Sequence, residues 1–79
     1  MSQEIERSIE QFAKKEATNG HFETTFNEIK AAIDTSFSRG NVLEALVRME
    51  GRKLISTRIK GKTKLYYLTE LREMCKKAW

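Results

Sequence analysis

The hydrophobic period of this chain changes once, close to Gly51, and that change limits the folds open to it. Before it, apolar residues recur at helical spacings of three and four: Ile5, Ile9 and Phe12, then Ile29, Ala32 and Ile33, then Val42, Ala45, Leu46 and Met49. After it, Ile55, Thr57 and Ile59 alternate with Ser56, Arg58 and Lys60, and Lys64-Leu65-Tyr66-Tyr67-Leu68 is rich in strand formers. Helices followed by a pair of strands predict the α+β class. With 79 residues there is room for one domain, spanning 1–79.

Local signals divide that domain. Asn19-Gly20 closes a first helix over residues 1–19, because both residue types tolerate the left-handed conformation that ends a helix. Thr25-Phe26-Asn27-Glu28 has the spacing of a capping box and opens a second helix that ends near Asp34. Ser36 or Ser38 caps a third, with Leu43 and Val47 widening its apolar side and Arg39, Asn41, Glu44 and Arg48 toward solvent. Residues 23–50 thus form a helix-turn-helix, closed by Gly51. A two-stranded hairpin over 53–69 turns at Lys60-Gly61-Lys62-Thr63, where Gly61 supplies the positive φ of a tight turn. Thr69 caps a final helix over 70–79, with Leu71, Met74, Cys75 and Ala78 along one side. Tyr66 and Tyr67 point to opposite faces of their strand, so one belongs to the core, and the other either packs against the first helix or is free to stack on a ligand's ring.

Charge is divided unevenly. Residues 1–37 carry four Lys/Arg against seven acids, a balance of −3; residues 38–79 carry eleven against four, a balance of +7. Arg58, Lys60, Lys62 and Lys64 fall within seven residues, with no acid between Arg52 and Leu68. Like charges this dense repel unless an anion screens them, which points to a polyanionic partner. Lysines that keep an edge hairpin from aggregating would account for one or two of the four.

Other chemistry finds little support. No apolar run approaches the roughly 18 residues of a membrane span, so no membrane association is expected. Met1-Ser2-Gln3-Glu4-Ile5-Glu6 is acidic where a signal peptide is basic, which predicts a cytoplasmic, intracellular protein. His21 and Cys75 are the sole His and Cys, too few for a metal site or a nucleophile–base pair. Gly61-Lys62-Thr63 matches the tail of a phosphate-binding loop, but Ser56 stands where the motif needs Gly. The acids of the first helix have the pattern of a solvated face. The expectation is no enzyme, no cofactor and no metal.

Three helices followed by a basic hairpin resemble the winged helix-turn-helix domain of MarR-like and ArsR-like regulators: a three-helix core, a two-stranded wing and a C-terminal helix. From Ser38 onward, Val42, Leu46, Met49, Leu54 and Ile55 stand where that family places its Ser, Val, apolar, Leu and Leu-Ile positions. Tyr66-Tyr67-Leu68-Thr69-Glu70 is similar to the strand that closes the family's wing. The resemblance covers about residues 23 to 70. It departs at Lys53, where the family usually has Gly, and in a longer turn before the third helix, with Phe37 in place of a small hydrophobe.

The resemblance implies that the third helix enters the DNA major groove. Arg39 has the fork for guanine O6 and N7, Asn41 the amide for adenine N6 and N7, and Glu44 an acceptor for cytosine N4. Ser36 and Ser38 suit a phosphate at the helix start, and Arg48 a phosphate near its end. Arg58, Lys60, Gly61, Lys62 and Lys64 form a wing on the backbone or minor groove. Two apolar stripes, Ile5, Ile9 and Phe12 at one end and Leu71, Met74 and Trp79 at the other, exceed what so small a core can cover, which predicts a twofold homodimer. The expected function is a sequence-specific, double-stranded DNA-binding transcriptional regulator, a homodimeric repressor. A low-specificity architectural or replication/partition DNA-binder, and a winged-helix protein-interaction module, stay open beside it.

Overall fold

In the computed structural model, which describes residues 2–77, the first helical stripe becomes α1, Ser2–Thr18. Its end is a Schellman motif. Gly20 takes φ 84 and its amide donates to the Ala17 carbonyl, while the His21 amide donates to that of Glu16. The His21 ring then bridges this helix end to Glu28, with Nδ1 3.0 Å from Glu16 Oε1 and Nε2 3.8 Å from Glu28 Oε2.

A short strand, β1 (Thr24–Thr25), precedes α2 (Phe26–Ala32). The capping box forms as expected: the Glu28 amide donates to Thr25 Oγ1, and the Thr25 amide donates to Glu28 Oε1. An N-cap residue must be extended, and Thr25 (φ −89, ψ 164) is extended enough to pair as a strand as well. After a turn comes α3 (Arg39–Gly51), capped by Ser38, whose Oγ accepts from the Asn41 amide. Ser36 does not cap; its amide donates to Asp34 Oδ1 at 2.8 Å, which holds the Asp34 carboxyl below its ordinary pKa.

Two longer strands, β2 (Ile55–Lys60) and β3 (Thr63–Leu68), pair antiparallel from Ile55↔Leu68 to Lys60↔Thr63. Gly61 at φ 64 is followed by Lys62 without a positive φ, the pattern of a type II′ turn. The sheet has three strands, in the order β1-β3-β2, rather than the two expected. Thr24 and Thr25 pair with Tyr66 and Leu65, a ladder too short to leave an alternation in the sequence. Over the described residues the chain is an α+β domain with four α-helices and this antiparallel sheet.

The core lies between the helices and one sheet face. Ile9, Ile29, Val42, Leu46 and Met49 are fully buried there, with Ile5, Ile33, Ala45, Ile55, Tyr66 and Leu68 around them. Phe12 and Leu71 pack against this cluster. The α1 stripe therefore belongs to the chain's own core. Ile5 and Ile9, expected at a dimer interface, are interior, because α1 lies across α3 and β3 instead of standing off the domain. Tyr67, on the opposite face, is also buried, as is Cys75 of α4 (Arg72–Lys76).

The C-terminal segment departs from a helix capped at Thr69. Thr69–Leu71 form one 3-10 turn before α4, and Thr69 Oγ1 bonds Ser56 Oγ at 2.8 Å, which occupies the hydroxyl that would have capped. Ala78 and Trp79, the latter expected at the dimer interface, lie outside the described residues. Among the described residues no helix is long and apolar enough to cross a membrane.

The end of α3 carries a testable strain. It closes with a second Schellman motif, Lys53 donating to the Glu50 carbonyl and Leu54 to that of Met49, but the left-handed position is Lys53, at φ 62. A lysine held there costs about 1–2 kcal/mol, part of which glycine would return as extra freedom in the unfolded chain. Lys53→Gly is expected to raise stability by about 0.5–1 kcal/mol, seen as a higher urea midpoint at unchanged slope. A lower midpoint would mean that the Lys53 side chain contributes more than its backbone costs.

Candidate nucleic-acid interface

Among the basic residues of the second half two groups stand out. Three arginines pair with carboxylates of other elements. Arg48 Nε lies 3.2 Å from Glu6 Oε2, and its Nη1 is 3.9 Å from Glu44 Oε2. Arg52 also pairs with Glu6, so one carboxylate on α1, its side chain 14% exposed, receives two guanidiniums from the end of α3. Arg58 makes a bidentate pair with Glu23, both contacts at 2.8 Å, and this hydrogen bonding raises its pKa above the ordinary value.

Arg48 and Arg58, expected on phosphates, each pair with a carboxylate of the fold, Arg48 joining α3 to α1 and Arg58 joining β2 to the segment before β1. Glu6, expected on a solvated face, stands beside the buried Ile5, and that place brings it against α3.

The second group is the wing tip. Lys60, Lys62 and Lys64 are exposed around Gly61, and no carboxylate among the described residues forms an ion pair with any of them. Lys64 rests its ammonium 5.4 Å from the centroid of the Tyr66 ring. The two-residue turn pins the strand register, so these cations are held at a fixed spacing rather than on a loose loop.

On α3, Arg39, Asn41 and Glu44 are exposed, as expected. Arg39 stacks its guanidinium 4.6 Å from the centroid of the Phe26 ring, which orients it at the helix start. Ser38 spends its hydroxyl on the cap and Ser36 stands exposed in the turn.

Leu43 and Val47, expected on the apolar side, instead face solvent at 39% and 67% exposure. The buried stripe is Val42, Ala45, Leu46 and Met49; a residue one position on is turned about 100° away, and neither α1 nor the sheet reaches that far round. Ile59, on the wing, is likewise 64% exposed. The sequence signal for Leu43 and Val47 is their phase, which a count of apolar residues hides.

Elsewhere the chemistry is sparse. Burial pushes the Cys75 thiol above its usual pKa, away from the thiolate. No three His, Cys, Asp or Glu side chains among the described residues converge on a point that would hold a metal. No protein-family model, curated protein or solved structure matches the chain.

Proposed function

We propose that this domain is a sequence-specific, double-stranded DNA-binding regulator of the winged-helix type. In this reading the amino-terminal half of α3 sits in the major groove and the Gly61 hairpin lies on the backbone or minor groove. The order of helices, short strand and basic hairpin supports the fold assignment. One observation carries the functional one. Among the described residues the fold supplies carboxylates for Arg48, Arg52 and Arg58, yet none forms an ion pair with Lys60, Lys62 or Lys64. A solvated hairpin that only needed protection from aggregation would not require three unpaired cations at its turn. Phosphates provide the missing counter-charge, and their contact releases condensed cations.

The test is fluorescence-anisotropy binding of the full chain to random-sequence duplex across a salt series. Lys60, Lys62 and Lys64 make about three phosphate contacts per chain, so log affinity is expected to fall with log salt at a slope of about −2.7, and about twice that for a homodimer. No binding at low salt would overturn the reading and bring a protein-interaction module forward. A twofold repressor would not assemble through Ile5 and Ile9 of α1, which are interior; of the terminal helices, α4 offers the half-exposed Met74. A base-substitution series separates this regulator from an architectural binder: about 1–3 kcal/mol per wrong base pair at contacted positions against almost none.

A further inference from the structure

Along α3, Gly40, Leu43, Val47 and Gly51 recur at spacings of three and four on the solvent side, all exposed. Nothing lies within 4 Å of where a Cβ would stand on either glycine, so the face is open at both ends. Beside the two aliphatics stand carboxylates: Glu44, whose side chain is 73% exposed, and Glu50, which accepts from Thr57 Oγ1 at 3.2 Å. Arg39 stands at the start of this face, and Arg48 beside it has its Nη1 3.9 Å from Glu44 Oε2. Between them the surface offers apolar side chains rather than an unpaired cation.

Resting on the DNA-binding reading, we infer that Leu43 and Val47 recognise thymine 5-methyl groups in the major groove. Thymine is the base whose major-groove edge carries a methyl, and apolar side chains are its usual partners. The spacing fits. Residues four apart rise about 6 Å along a helix, and two base steps on one strand rise about 6.8 Å. The preferred site therefore has two thymines separated by one base on the same strand. Glu44 lies beside the pair, where a carboxylate is tolerated by a cytosine amino group and not by a phosphate. Specificity then comes from the middle of α3, with Arg39 and Asn41 at its entrance, and the wing lysines supply affinity without choosing sequence.

The experiment compares the full chain on a short alternating A·T duplex, which presents thymine at every second position, and on the same duplex with uracil for thymine. Uracil keeps every hydrogen-bonding group and lacks the methyl. Burying one methyl changes affinity about fourfold, so wild type is expected to bind the thymine duplex about 15-fold more tightly, with equal salt slopes on the two. Leu43→Ala and Val47→Ala should each reduce the ratio to about four, and the double variant to about one. Both residues are exposed and Ala is the best helix former, so these variants keep the fold. A ratio of one in wild type, with duplex binding and its salt slope intact, overturns this inference and leaves the DNA-binding reading standing. A ratio that persists in the double variant overturns the assignment to Leu43 and Val47. No binding to either duplex overturns the inference together with the reading it rests on.

Discussion

Replacing Lys60, Lys62 and Lys64 together by glutamate is expected to abolish duplex binding and leave the fold unchanged. The three side chains are exposed and form no internal ion pair among the described residues, so folding loses nothing but the contact between Lys64 and the Tyr66 ring. Binding loses three attractions and gains three repulsions against a polyanion, a fall of about two orders of magnitude or more at low salt. Neutral replacement by glutamine should instead flatten the salt slope by about 2.7, three contacts at about 0.9 each. Arg58→Gln behaves in the opposite way: it leaves the half-buried Glu23 without its bidentate partner and lowers stability, with little change in salt slope. Salt titration and thermal melting on the same set of proteins separate the two groups of cations. A triple glutamate variant that still binds duplex at wild-type affinity would sink the wing's role.

Ile9→Ala is expected to remove about 3 kcal/mol of stability. Ile9 is fully buried, packed in the cluster that joins α1 to α2, α3 and the sheet, and its truncation leaves a cavity that helices held on several sides cannot close. A domain of this size has about 4–12 kcal/mol in total, so the midpoint should drop by about 12–25 °C. The loss should not depend on protein concentration, as it would if Ile9 stabilised an interface between copies. A variant of near wild-type stability whose sedimentation mass fell by half would return the α1 stripe to a dimer contact.

The Lys53 backbone shows how a departure in sequence becomes a physical statement. The winged-helix resemblance places Gly at this position, and in the sequence alone its absence is a mismatch with no consequence attached. In the fold, residue 53 must be left-handed to let the Leu54 amide reach the Met49 carbonyl and turn the chain from α3 into β2. Gly51, two residues earlier, does not meet that need, since it is still within the helix.

The features legible in the sequence are those that depend on residues close along the chain. The capping box at Thr25–Glu28, the Gly20 stop, the Ser38 cap, the Gly61 turn and the switch of period near Gly51 are contacts over two to five residues, which the backbone makes wherever the rest of the molecule lies. They determined the order of helices and strands, and they located the basic hairpin. Tertiary structure alone decided which charges are available and which apolar residues are covered. Glu6 meets Arg48 across 42 positions and Glu23 meets Arg58 across 35, and no local rule relates such residues. The exposure of Leu43 and Val47 depends on how α3 is rotated against α1 and the sheet, a matter of packing between elements rather than of the pattern within one. The same holds for α1, whose stripe is apolar whether it faces its own core or a second copy; only its position across α3 and β3 makes it interior.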